Sequence, residues 1–279
     1  MQLILVFLIK KLMKNKQEFI VSCIQTNSSE NEDKNINQVN ELLVEAVKLK
    51  SEVVFLPECV GIFSDSVELL NKFSKSMKFL QFIIKCAVKY KIFISIGSLP
   101  FKTKNKKFLN RSYVINPVGK VLETYDKINL FDVYLSEKEN YLESKNYDAG
   151  KVIKTCKLPW GKLGLSICYD LRFPSIYKKL SKQGARFLSI PAAFTKTTGK
   201  VHWHALVKSR AIENGCFVFA ACQCGKHDNG RETFGHSVII DPWGNTLAEG
   251  KDNPEVISAK IDLKLVEIAR RKIPSMTKY

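Results

Sequence analysis

Arginine is scarce in this chain, with only seven among its 44 basic residues. Lysines supply the rest of the +17 charge and are scattered through nearly every segment. A nucleic-acid-binding surface gathers its cations on one face and carries a recognisable motif. Neither is present, and the charge reads as a lysine-rich solvated surface with no nucleic-acid partner. Long apolar runs are missing too. The longest candidate, QLILVFLI at 2–9, is far short of the roughly 20 residues that span a bilayer. Its lysines follow it and no small-residue cleavage site comes after, so it is a poor signal peptide. No membrane association is expected. A second methionine, Met13, opens the stretch in which the first convincing strand begins. Residues 1–17 are therefore read as an extension outside the fold, and 18–279 as a single domain. Internal repeats and low-complexity linkers are absent as well, which fits one core for 279 residues.

Eight cysteines are present, most of them inside apolar strand-like runs. Without a secretion signal this usage points to a reducing, cytoplasmic compartment rather than a disulfide framework. Histidine is limited to four residues, 202, 204, 227 and 236. On a helix over 201–214, positions two apart point about 200° apart and cannot share an ion. No metal and no cofactor is expected. TKTTGK at 195–200 lacks the upstream glycine and the following Ser or Thr of a phosphate loop.

Apolar periodicity gives the order of elements. A strand at 19–25, a helix at 33–50, a strand at 53–56, a helix around 76–90 and a strand at 92–96 make β-α-β-α-β. Hairpins follow at 111–125, 151–167 and 235–249, interleaved with helices at 174–183 and 201–214 and strands at 186–190 and 216–222. A strand at 255–261 and a helix from 263 close the chain. Hairpins mixed with β-α units predict an α/β fold, a four-layer α-β-β-α sandwich with mixed sheets. The polar stretch 127–150 has no clear period and reads as a functional loop.

Three residues stand just beyond strand ends, where ligands collect in such sheets. Glu58 follows VVFLP, Lys127 follows VLETYD and Cys168 follows LGLSI. Cys168 sits on a strand-to-helix turn, where free N–H groups and a neighbouring lysine favour the thiolate. Together the three form a workable acyl-transfer set of nucleophile, proton carrier and oxyanion cation. Singly, each has an ordinary alternative: a buried thiol, a helix cap, one more surface lysine.

FLPE at 55–58, YDKINLFD at 125–132 and ICYDLRFP at 167–174, in this order, resemble the motifs of the carbon–nitrogen hydrolase (nitrilase) superfamily over about residues 18–273. The resemblance implies a four-layer sandwich paired into homodimers or larger assemblies. It implies Glu58 as general base and acid, Lys127 at the oxyanion hole, Cys168 as nucleophile and the Tyr169 N–H as second oxyanion donor. YLES at 141–144 is similar to a further family motif and makes Glu143 the candidate for orienting Lys127 and the substrate, with Glu137 and Glu139 close by. PAAFTKTTGKVHWH at 191–204, the QCG at 223–225 and FGHSVIIDPWG at 234–244 look most like the branch that hydrolyses deaminated glutathione. The expected partner is thus a small-molecule amide. Phe194 and Thr195 would line its pocket. Arg172 would either contact an anionic substrate or pair with Asp170. At 204 that branch more often has glutamate, so His204 is a departure. Omega-amidase and N-carbamoyl hydrolysis share the triad and remain open, as do the more distant readings of a metal hydrolase and a non-enzymatic interaction protein.

Overall fold

A computed structural model describes residues 17–105, 107–137 and 139–275. The N-terminal extension expected from the sequence lies outside these, apart from Gln17. The first half of the chain contributes β1 (Glu18–Gln25), α1 (Glu32–Lys48), β2 (Val53–Phe55), α2 (Val67–Ser76), α3 (Lys78–Tyr90), β3 (Phe93–Lys102), β4 (Phe108–Ile115) and β5 (Val121–Asp126). A small hairpin, β6 (Asp132–Ser136) and β7 (Glu139–Leu142), comes next. The second half adds β8 (Thr155–Leu158), β9 (Gly161–Leu165), α4 (Pro174–Lys182), β10 (Ala185–Ser189), α5 (Lys196–Asn214) and β11 (Phe217–Ala220). It ends with β12 (Cys224–Lys226), β13 (Glu232–Phe234), β14 (Val238–Ile240), β15 (Thr246–Glu249), β16 (Glu255–Asp262) and α6 (Lys264–Lys272).

Two six-stranded sheets result, ordered β16-β1-β2-β3-β4-β5 and β15-β14-β11-β10-β9-β8. Strict alternation along β1 sends Phe19, Val21 and Cys23 into the space between the sheets, while Ile24 packs toward α1 and α3. Phe19 stacks on Trp160 at 4.3 Å, and Phe55 meets Phe219 at 4.9 Å, so aromatic rings from both sheets interdigitate. Val39, Leu43 and Ala46 cover the outer face of the first sheet from α1. Tyr177, Leu180, Trp203 and Val207 do so for the second from α4 and α5. The α-β-β-α layering and the mixed sheets match the expectation.

Parallel pairing of β1–β2–β3 and of β9–β10–β11 brings their carboxyl ends to one end of each sheet. Strand β5 is antiparallel to β4, which is antiparallel to β3. Its exit at Asp126 therefore lies at the same end as those of β2 and β3. Behind the β2 exit, Gly97 presses against the chain: a Cβ there would overlap the carbonyl oxygens of Leu56 and Pro57.

The structure departs from expectation in several places, among them the β12–β13 ribbon, which falls between the expected strand at 216–222 and hairpin at 235–249. Helix α2 was not foreseen, its apolar face being short. Helix α5 begins at Lys196 rather than 201, because Thr195 caps it by accepting from the Thr198 N–H. Gly199 is tolerated in its first turn because Phe234 leaves no room for a side chain. The stretch read as a loop at 127–150 holds the β6–β7 hairpin. Among the described residues no helix is long and apolar enough to cross a membrane.

Candidate active site

Glu58, Lys127 and Cys168 meet at the bottom of a cleft of about 890 Å³. Glu58 lies three residues past β2, in a turn where Cys59 takes a left-handed φ of 56°. That turn is pinned from both sheets. The Cys59 N–H donates to Ser98 Oγ at 2.9 Å, and Gln223 Nε2 donates to the Glu58 carbonyl at 2.9 Å. Lys127 is the first residue after β5 and is only 2% exposed. Its N–H donates to the Asn110 carbonyl at 3.0 Å, fixing the point from which the ammonium reaches inward. Cys168 opens a 3₁₀ turn, Cys168–Arg172, with φ of 45°. A non-glycine residue in that region is strained, and such strain collects at functional sites. The Cys168 N–H is caught by the Pro191 carbonyl at 2.8 Å.

Polar contacts knit these residues into one buried cluster. Lys127 Nζ donates to Glu58 Oε1 at 2.9 Å and to Glu143 Oε2 at 2.8 Å. Asn110 Nδ2 bridges the same two carboxylates, at 2.9 and 3.0 Å. The Phe131 N–H donates to Glu143 Oε2 at 2.6 Å, and the Ala193 N–H donates to Glu58 Oε2 at 2.9 Å. Glu143 is thus the glutamate of its loop that reaches Lys127. Glu137 is exposed, and Glu139 bonds Thr197 and Tyr141. The Tyr169 N–H makes no backbone hydrogen bond outside its own 3₁₀ turn among the described residues.

Electrostatics sets the protonation pattern. Burial pushes the Glu58 carboxyl up, but the Lys127 ammonium and hydrogen bonds from Lys127, Cys168 and Ala193 outweigh it and hold the group below the ordinary carboxyl value. Burial tends to discharge Lys127, yet Glu143, Glu58 and Cys168 together keep its pKa well above that of a free lysine. The Cys168 thiol is pushed up, first by burial and then by the Glu58 carboxylate, with Lys127 only partly offsetting them. This corrects the expectation of a resting thiolate: position on the turn and a neighbouring lysine do not overcome burial beside an anion. These shifts favour a neutral thiol beside an ionised carboxylate.

Other expected residues also reach the cleft. Phe194 and Thr195 are buried and line it, Phe194 against Trp203 at 5.2 Å. Arg172 lines it as well, and it does not pair with Asp170. Its guanidinium lies 5.2 Å from the Phe194 ring centre and 5.9 Å from that of Tyr169, within 3.4 Å of His202 Nδ1. Asp170 instead accepts from the Tyr125 hydroxyl at 2.7 Å, from the Asn129 N–H and Nδ2 at 2.9 Å each, and from the Ile167 N–H at 3.0 Å. It braces the Cys168 turn from behind. His204 lies apart from the triad and contacts Glu249 Oε1 at 2.7 Å. Asn110 and the Ala193 N–H were missed by sequence reasoning. Asn110 carried a usable signal, since it stands in the same register as buried Phe108 and Ser112 on β4. A backbone N–H carries none.

The family model for carbon-nitrogen hydrolases matches residues 20–271. The deaminated glutathione amidase of Synechocystis sp. (strain PCC 6803 / GT-S) is 38% identical over 271 residues, covering 92% of this chain and 97% of its own. The deaminated glutathione amidase of Dictyostelium discoideum is 36% identical over 278 residues, covering 95% and 94%. Among solved structures, the NitFhit protein of Caenorhabditis elegans superposes with a TM-score of 0.90 at 33% identity, covering 95% of this chain and 65% of that one. Nit3 of Saccharomyces cerevisiae, a member of branch 10 of the nitrilase superfamily, gives 0.83 at 29% identity, covering 93% and 95%. With the match running from β1 into α6, the chain belongs to the carbon–nitrogen hydrolase family and is an amidase of C–N bonds.

Proposed function

We propose that this chain is a thiol-dependent amidase that cleaves deaminated glutathione, with Cys168 as nucleophile. The observation that carries the mechanism is the buried cluster in which Lys127 bridges Glu58 and Glu143 next to Cys168. The substrate choice is supported by the relatives that bear that name over nearly their full length.

The substrate's scissile carbonyl sits over Cys168. As the sulfur attacks carbon, its proton passes to Glu58, whose carboxyl is held below the ordinary value and so favours the ionised form. Negative charge grows on the carbonyl oxygen and is met by Lys127 Nζ and the Tyr169 N–H. Glu58 then gives its proton to the departing amine, the C–N bond breaks and a thioester remains. Water enters, Glu58 takes a proton from it, and the resulting hydroxide attacks the thioester carbonyl over the same two oxyanion donors. Collapse releases the acid, and the thiolate recovers its proton from Glu58. Glu143 and Asn110 hold Lys127 and Glu58 in place and never touch the reacting atoms. The positive charge that acyl transfer needs is supplied by the lysine.

The protein acts in the cytoplasm as a homodimer or larger homo-oligomer. Unpaired cysteines throughout the described residues support a reducing compartment. Side-by-side hydrolysis of deaminated glutathione, α-ketoglutaramate and an N-carbamoyl amino acid tests the substrate assignment, which requires preference for the first. Cys168→Ala must abolish hydrolysis while leaving the circular-dichroism spectrum unchanged. A variant hydrolysing at the wild-type rate refutes the nucleophile.

A further inference from the structure

Six cationic side chains line the cleft apart from Lys127. Lys145, Lys196, Lys200 and Lys226 are exposed, and Lys196 is already paired with Glu232 at 2.9 Å. The other two are arginines, partly buried in a chain that has few of them. Both are seated on the ends of one aromatic wall. Arg172 lies over Tyr169. The Tyr169 and Tyr141 rings each stand 5.1 Å from the ring of Phe131. Arg231 lies over Tyr141 at 4.7 Å and over Phe63 at 5.1 Å. Arg231 comes from the connection between β12 and β13, far in sequence from the triad. The carboxylate nearest to it among the described residues is exposed Asp65, at 3.7 Å, longer than a direct hydrogen bond. Its planar fork is thus positioned by rings while donors stay available, the arrangement that suits bidentate capture of a carboxylate.

We infer that Arg231 binds the terminal carboxylate of the leaving amine and thereby selects peptide-like amides over primary amides. This rests on the substrate reading above. Deaminated glutathione carries a carboxylate at each end, one on the acyl part and one on the departing dipeptide. Fully extended, it spans about 12 Å, counting about 3.5 Å for each residue of the dipeptide and a similar rise along the acyl chain. Cys168 lies at the arginine-172 end of the wall, four residues before Arg172. An acyl carboxylate near Arg172 therefore directs the leaving group along Phe131 and Tyr141 toward Arg231. Ammonia, the leaving group of a primary amide, has nothing to place there.

The test is steady-state kinetics of wild type, Arg231→Gln and Arg231→Lys on three substrates: deaminated glutathione, its C-terminal carboxamide and α-ketoglutaramate. Arg231→Gln should lose about tenfold or more in kcat/KM on deaminated glutathione, mainly through KM, since it forfeits a charged hydrogen bond. It should stay within about twofold of wild type on the other two, and the lysine variant should recover part of the loss. The wild type itself should prefer the free acid over the carboxamide by a similar factor, a comparison that requires no variant to fold. Equal losses on acid and carboxamide, or no loss on the acid, overturn the inference and leave the substrate reading standing. A wild type that turns over α-ketoglutaramate but not deaminated glutathione overturns both.

Discussion

Glu143→Gln offers the sharpest test of the buried cluster, because it removes one charge and almost no volume. In the native site Oε2 accepts from Lys127 Nζ and the Phe131 N–H, and Oε1 accepts from Asn110 Nδ2. All three neighbours are donors. A glutamine can turn its oxygen toward Lys127 and Phe131 only by pointing its NH₂ at Asn110, which in turn donates to Glu58. One donor–donor conflict follows in that orientation and two in the flipped one, and Lys127 keeps a single counter-charge. A charged hydrogen bond contributes about 1.5–3 kcal/mol, and an orphaned buried donor costs about 1–3 kcal/mol more. If about 3 kcal/mol of this appears in the transition state, kcat/KM falls about 10²-fold at 1.36 kcal/mol per tenfold. Glu137→Gln, in the exposed turn nearby, should stay within about twofold of wild type. Stability carries its own signature. Glu143 is the strongest of the influences that raise Lys127 above its ordinary value of 10.5. A lysine whose folded pKa is raised stabilises fully below the unfolded value and loses that contribution as pH climbs through the folded one. The stability gap between wild type and variant, measured by urea unfolding, should therefore be full below pH 10.5 and narrow above it. A kcat/KM within about threefold of wild type refutes the role given to Glu143.

Two further perturbations probe the same geometry. Glu58 is held below 4.5, so its stabilising contribution is present above that value and lost as pH falls through the folded one. The acid limb of the kcat/KM profile should accordingly lie below 4.5. Buried His227 is pushed down to about 4, chiefly by burial, so it does not titrate between about pH 5.5 and 7. A limb centred between about pH 5.5 and 7 contradicts the assignment of Glu58 as base. Gly97→Ala would drive a methyl into the carbonyls of Leu56 and Pro57. It should cost about 1–3 kcal/mol of stability and, by shifting Glu58, at least about tenfold in kcat. Thermal melts with activity assays read both, and an unaffected kcat shows that the Glu58 turn tolerates displacement.

Much of this was legible in the chain because burial writes a period into sequence. The alternation of Phe19, Val21 and Cys23 and the helical spacing of Val39 and Leu43 each announced an element and its buried side. Helix α2 escaped because it buries only Leu70 and Phe73, with Leu69 partly covered, too little to set a period. The β6–β7 hairpin is mostly exposed, so no face of it is marked. Thr197, Thr198 and Gly199 are poor helix formers, and they hid the first turn of α5. In the site, Glu58, Lys127 and Cys168 were readable because each follows a strand end. The Arg172–Asp170 alternative was undecidable locally, since the partners of Asp170 come from Tyr125 and Asn129 some 40 residues away. The protonation of Cys168 depends on burial, which no local spacing reveals.

The residues 191–193 tie together parts of the site that arise on different sheets. The Pro191 carbonyl holds the Cys168 turn, and the Ala193 N–H holds the carboxylate delivered by β2. Cys168 and Glu58 are therefore brought into register only when the two sheets have docked. A folding intermediate with each sheet formed but undocked would be inert, with a loose thiol that no carboxylate accompanies. Alkylation of Cys168 thus becomes a clock for separation of the layers: its rate in mild denaturant should follow the opening of the inter-sheet core rather than the fraying of either sheet's edge.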